Sequence, residues 1–241
     1  MNRTQRAKKR RIVLKTAWGR LWRGWIRPLL PVVVVLATLR SAVADWNVVP
    51  TGSMEPNILI GDRIFVNKLA YGLRVPFTDW WLAQWDEPLR GEVAVLDSPE
   101  DGIRLVKRVI ALPGDVVEMR GNRLWINGEP TSYSAASSDV VNQLDPAKRA
   151  SRRFVREETD DHPHTIAITP GVPSPRTFGP VTIPADHYFV MGDNRDRSKD
   201  SRVFGFVPRE NLVGRSSWVV ISLDYDRYYL PRWGRFFSSL P

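Results

Sequence analysis

The chain has no cysteine and only three histidines in 241 residues. That excludes a disulfide framework, a thiolate nucleophile and any cysteine-held zinc centre. Acidic residues are missing from residues 1–27, which carry ten basic ones: Arg3, Arg6, Lys8, Lys9, Arg10, Arg11, Lys15, Arg20, Arg23 and Arg27. Of 35 Lys and Arg in all, 25 therefore remain against 26 Asp and Glu, so the net charge of +9 belongs to a short tail. A nucleic-acid-binding domain would carry its positive charge on a folded surface, so that class is set aside. Long apolar runs are missing too. The uncharged stretch from Pro28 to Leu39 has 12 residues, about 18 Å of helix against a hydrocarbon core of about 30 Å. Extended to Val49 it reaches about 33 Å, at the cost of enclosing Arg40 and Asp45. We read one transmembrane helix over 28–49, with Trp25 and Trp46 as interfacial anchors and the basic tail on the cytoplasmic side. The alternative is a secretory signal peptide cut after Ala42-Val43-Ala44, leaving a chain that starts at Asp45.

Beyond Val49 the pattern is mostly β. Short β-branched and aromatic runs, such as Arg63 to Asn67, Glu92 to Leu96, Ile103 to Leu112, His187 to Met191 and Ser217 to Leu223, are punctuated by Gly, Pro and Asp. Helical periodicity is weak except around Trp80 to Trp85. The polar stretch 129–180 carries few strand signals and reads as a partly mobile lobe inserted in the β core. The implied division is a basic tail (1–27), the membrane helix (28–49), a β domain (50–128 and 181–241) and the inserted lobe (129–180). Trp80, Trp81 and Trp85, and the C-terminal Tyr228, Tyr229, Trp233, Phe236 and Phe237, form two aromatic clusters; core packing accounts for most single aromatics, while adjacent Trp residues are read as resting in the membrane interface.

Chemistry has to come from Ser, Lys, His and carboxylates. His162 and His164 have no acidic partner at a metal-ligand spacing, and His187 opens a strand where a packed histidine is the default. No Ser-x-x-Lys occurs. Asp196-x-Ser198-x-Asp200 starts like a calcium loop, but Ser201 replaces the needed Gly and Val207 the bidentate Glu. What remains is Ser53, on the Gly- and Pro-bounded turn Pro50-Thr51-Gly52-Ser53-Met54-Glu55-Pro56. A serine there needs a base, and a lysine serves only if burial leaves its amine neutral. Lys107 is the best candidate: the period-2 alternation of 103–109 places it beside Ile103, Leu105 and Val109. In the opposite register Lys107 is exposed and Arg104, Val106 and Arg108 face inward, which is harder to bury.

Four segments in order resemble the signature boxes of bacterial type I signal peptidase, also called leader peptidase. They are Thr51 to Pro56, Gly61 to Lys68, Lys107 to Asp115 and Gly192 to Gly205, within a similarity running from about Val48 to Leu223. The resemblance implies a signal-peptidase-like β core with an inserted lobe behind one retained membrane helix. It further implies a Ser/Lys endopeptidase that cuts signal peptides from exported preproteins after an Ala-x-Ala-like site. Carried over by motif position, Ser53 is the nucleophile and Lys107 the general base. Ser198 orients the amine, and the Ser53 N–H with the Thr51 hydroxyl holds the oxyanion. Asp193, Asp200, Arg108 and Arg202 brace the site. Thr51 stands where the family often has Ser, Ala111 where it has Gly and Asn57 where Thr is common. No cofactor or metal is implied. The implied partners are preproteins and the bilayer, with no nucleic acid, for a monomer whose catalytic part faces the periplasmic side of the inner membrane. A specialised pilin or conjugation-type peptidase, or a catalytically silent membrane-anchored assembly protein on this fold, are the alternatives.

Overall fold

The computed structural model describes residues 22–241 except Asp79 and Asp161. Residues 1–21, and most of the basic tail with them, lie outside the described residues. The body is built on a nine-stranded antiparallel sheet. Its main path runs Ala44–Val48, Asp62–Asn67, Leu212–Asp224, Val93–Asp97, Arg104–Ala111, His187–Met191 and Val207–Pro208; Leu230–Pro231 and Ser238–Ser239 also pair with Leu212–Asp224. Val93–Asp97 is the central strand, and its unbroken apolar run reflects burial on both faces. Val93 and Val95 join Met54, Ile58, Ile64 and Val219 in one core cluster, while Ala94 and Leu96 join Val109, Tyr188 and Val190 in a second. A third cluster, around Ile110, Met119, Leu124 and Phe189, packs beneath a four-stranded sheet of Phe178–Thr182, Val116–Arg120, Arg123–Ile126 and Glu129–Pro130. The mostly β expectation therefore holds.

The expected helix over 28–49 does not. A helix spans Arg27–Ala42, preceded by a π-helical turn Trp22–Ile26, and the chain then becomes the edge strand Ala44–Val48, paired from Ala44↔Asn67 to Val48↔Arg63. Among the described residues no helix is long and apolar enough to cross a membrane. The physical reason lies in Arg40 and Asp45, charges a span would have to tolerate. They pair with each other at 2.8 Å across the helix–strand junction, and Lys68 Nζ caps the helix end by donating to the carbonyls of Arg40 and Ser41 at 2.9 and 3.1 Å.

Two further expectations change. Trp80 to Trp85 is not helical: Trp81–Gln84 is a strand paired with Gly72–Arg74, and the Arg74 guanidinium lies 4.5 Å from the Trp81 ring centroid. Pairing with Gly72–Arg74 supplies the backbone partners of this segment, and a tryptophan packed on a pleated surface suits a strand. The inserted stretch forms an antiparallel sheet of Ser132–Ala135, Arg153–Glu158 and His164–Ile168, with short helices Ser138–Val141 and Pro146–Ala150 between the first two strands. Its strands were hard to read because an inward position of Arg153–Glu158 is a charge: Glu157 is fully buried and paired with Arg195 at 2.5 and 2.9 Å. A parallel bridge between Ala167 and Asn194 ties this sheet to the segment Gly192 to Gly205.

Candidate active site

The serine turn is a short 3-10 segment, Gly52–Met54, directly after the edge strand. Met54 anchors it, fully buried in the first core cluster, a placement worth about 1.5–3 kcal/mol. Asn194 holds the other side, its backbone N–H donating to the Ser53 carbonyl at 3.0 Å and its side-chain amide to the Gly52 carbonyl at 2.8 Å. Sequence reasoning did not single out Asn194, although it lies inside the quoted acidic segment.

Lys107 sits mid-way along Arg104–Ala111 opposite Ala94, whose small side chain leaves room for it. It is 3% exposed, and its Nζ donates to Ser53 Oγ at 2.7 Å. Burial lowers its pKa from 10.5 to about 8; Asp200 and Asp193 oppose that shift and Arg202 adds to it. Lys107 and Val109 point inward as expected, whereas Ile103 of the same expected face is 60% exposed. The opposite face is buried as well, contrary to the simple alternation, because Arg108 is neutralised. Arg108 is 0% exposed and meets Asp193 through Nε and Nη2 at 2.9 and 2.8 Å, while Nη1 donates to the Gly91 and Pro241 carbonyls. Asp193 is held below the usual carboxylate range by Arg108, against the opposing effect of its burial.

Asp200 and Arg202 form a second bidentate pair, 2.8 Å at both contacts. Asp200 also accepts from the Gly192 N–H at 2.9 Å. Gly192 is required by close approach: a Cβ there would lie 2.3 Å from Ser198 Oγ and 2.5 Å from the Ser53 carbonyl. Ser198 is thus brought beside the backbone of Ser53. Its buried hydroxyl makes no hydrogen bond to Lys107; its polar neighbour is the Asp200 carboxylate, which it helps hold below the usual carboxylate range. Thr51 is exposed at the mouth of the turn, and its hydroxyl caps no backbone amide. Asn57 donates to Asp193 and to the Thr165 carbonyl, both at 2.7 Å.

A cleft of about 580 Å³ opens over the pair, walled by Asn47 to Thr51 on one side and Gly102 to Val106 on the other. His187–Met191 pairs with the lysine strand only from Arg108 onward, so the edge over residues 104–107 faces this cleft without a strand partner among the described residues. His162 and His164 are far from a ligand set. His164 is buried between Glu157 and Asp193, with its pKa lowered by burial and Arg108, and no cluster of metal-ligating side chains is found among the described residues.

The sequence model of the family described as "Signal peptidase, peptidase S26" matches residues 22–221. The chain belongs to the signal peptidase family. Signal peptidase I of Pseudomonas fluorescens is 34% identical, over 87% of this chain and 76% of the relative. That of Pseudomonas aeruginosa is 35% identical over the same shares. Signal peptidase I P of Bacillus subtilis subsp. natto is 31% identical over 85% of this chain and 91% of the relative. A crystal structure of a signal peptidase I from Enterococcus faecalis, 31% identical, covers 54% of this chain and 97% of its own at a TM-score of 0.33; the assignment rests on the sequence matches. The chain is thus an enzyme of the signal peptidase I class, a protease, and the first, third and fourth resembling segments of the sequence meet around Ser53 and Lys107.

Proposed function

We propose that this signal peptidase cuts preproteins with Ser53 as nucleophile and Lys107 as general base. The observation that carries the reading is a buried amine 2.7 Å from a serine hydroxyl, with a pKa low enough to be partly neutral near pH 8. The substrate adds as an extended strand along the free edge of residues 104–107, main chain to main chain, with small side chains entering the apolar cleft. This suits an Ala-x-Ala-like site. Neutral Lys107 takes the Ser53 proton as Oγ attacks the scissile carbonyl. The Ser53 N–H and the Thr51 hydroxyl hold the tetrahedral oxyanion, and the ammonium then protonates the leaving amine. Water, deprotonated by the same amine, cleaves the acyl-enzyme and regenerates Ser53. The Asp193–Arg108 pair ties the lysine strand to the segment after His187–Met191, and the Asp200–Arg202 pair braces the turn that follows it.

We place residues 50–128 and 181–241 in the catalytic unit and 129–180 in an inserted lobe. Membrane association is supported by exposed apolar surface. The helix Arg27–Ala42 exposes Leu29, Leu30 and Val32 to Leu36, and a cross-strand row of Trp46, Phe65 and Trp218 lies on the solvent face of the sheet edge, 57%, 36% and 49% exposed. Exposed Phe77, Trp80, Tyr228 and Trp233 extend that character. Resting in a bilayer on the periplasmic side, this surface brings the site to signal peptides still held in the membrane, at high effective concentration.

The test is cleavage of a preprotein by the purified chain, with mapping of the new N-terminus. Wild type is expected to cut after a small-x-small sequence and Ser53→Ala to leave the preprotein whole; cleavage by the variant refutes the assignment. The pH dependence is the second check. The log of kcat/KM is expected to rise with slope one up to an apparent pKa of about 8, because only the deprotonated Lys107 is competent. A flat profile from pH 6 to 9 contradicts Lys107 as the base.

A further inference from the structure

Glu55 lies two residues beyond the nucleophile and is only 2% exposed, yet it has no part in the chemistry above. Its carboxylate is gripped from the inserted lobe. Lys148 Nζ, on the helix Pro146–Ala150, donates to Oε1 at 2.8 Å, and Arg152 Nη1, just past that helix, donates to Oε2 at 2.6 Å. Each oxygen has its own cation, so the carboxylate cannot rotate without losing one. The carboxylate is also packed against the serine turn. A Cβ on Gly52 would meet Glu55 Cδ at 2.9 Å and its two oxygens at 3.0 and 3.2 Å. Gly52 thus leaves the space that the carboxylate fills, and any shift of Glu55 presses on the segment carrying Ser53. The Glu55 N–H closes the same turn onto the Gly52 carbonyl at 3.2 Å.

The lobe holds its side of this contact with its own bonds. Asp145 caps the helix by accepting from the Ala147 N–H at 2.8 Å, and Arg149 donates to Asn142 at 2.7 Å. Beside the clamp lies a polar cavity of about 480 Å³ lined by Gln143, Lys148, Asp224 and Arg232. The lobe side of the contact thus borders open space at Lys148, and the two ion pairs are its polar links to Glu55. An ordinary surface ion pair would contribute little, but one whose acid is buried under the nucleophile's turn fixes a geometry, and misplacement by about 1 Å costs on the order of 10²-fold in rate.

We propose that Lys148 and Arg152 are positioning residues for the nucleophile, acting through Glu55, so that the inserted lobe sets the placement of the Ser53 turn. The proposal rests on the reading of Ser53 as nucleophile. The test uses the full chain and compares wild type with Lys148→Met, Arg152→Gln, the double variant, the conservative Lys148→Arg, and Ser134→Ala at a lobe hydrogen bond to Glu158 away from the clamp. Single-turnover cleavage of a preprotein gives a rate constant that does not depend on the fraction folded, and hydrogen exchange reports the amides of 52–55.

The double variant is expected to lose about 10²-fold in the single-turnover rate constant, with KM within about twofold and faster exchange at 52–55. Lys148→Arg is expected to recover most of the rate and Ser134→Ala to match wild type. An unchanged rate constant and unchanged exchange in the double variant overturn the proposal, as does an equal loss in Ser134→Ala. If wild type itself shows no cleavage, or Ser53→Ala retains it, the nucleophile assignment has failed, and the exchange measurement still decides whether the clamp orders the turn.

Discussion

Replacing Lys107 by Met is expected to abolish cleavage and at the same time to make the protein more stable at neutral pH. The loss follows from removing the proposed proton acceptor 2.7 Å from Ser53 Oγ, and general-base losses of about 10²–10⁴ set its lower range. The gain follows from the same burial that lowers the lysine's pKa from 10.5 to about 8. Below pH 8 the folded chain holds an ammonium in a water-poor site that the unfolded chain would hydrate. A shift of that size is worth about 3 kcal/mol. Because the folded pKa is depressed, the penalty is full below pH 8, shrinks as pH rises towards 10.5 and vanishes above it. Wild-type stability should therefore climb with pH across that window, and the Met variant should lack this climb. Urea denaturation at pH 7 and pH 10, beside a cleavage assay, measures both halves. A variant that is less stable at pH 7 and titrates like wild type would show that the amine is not desolvated.

The opposite behaviour is expected at the adjacent pair. Asp193→Ala leaves the Arg108 guanidinium, 0% exposed, without its bidentate partner, and removes an acceptor used by Asn57. Breaking a buried pair by deleting one member costs about 3–5 kcal/mol, enough to remove a large part of the stability of a typical domain. Activity is lost with the strand register that presents Lys107. Replacing both residues by apolar ones, as in Arg108→Met with Asp193→Leu, is expected to return most of the stability, since no charge is then stranded. A thermal or urea midpoint for the single and double variants decides it. If Asp193→Ala costs under about 1 kcal/mol, the pair is not the brace described. The depressed Asp193 pKa carries the matching pH dependence: its contribution is present above the ordinary carboxylate range and is lost as pH falls through the lower folded value.

Much of the site was legible in the chain itself. The absence of cysteine and the scarcity of histidine pointed to Ser and Lys as candidate reacting groups, and the alternation of 103–109 located the lysine that the fold buries. The Gly- and Pro-bounded turn marked Ser53, and the ordered boxes named the family to which the sequence matches assign the chain. These are local signals, because residue chemistry and a period of two are written within a few neighbouring positions.

What the tertiary structure alone decided is where charge is buried and where a helix stops. Alternation alone put Arg108 outward while the resemblance named it with Asp193 among the bracing residues; the bidentate contact between the two, 85 positions apart, is what lets the guanidinium lie fully buried. Residues 44–48 read as the end of a span because their apolar content is ambiguous, and pairing with Asp62–Asn67 makes them a strand. Glu55 gave no hint of Lys148 and Arg152, 93 and 97 positions along the chain. Pattern along a sequence records which faces can be apolar. Which charges neutralise each other is set by distances of a few ångströms between segments far apart in the chain, and only folding brings those into being.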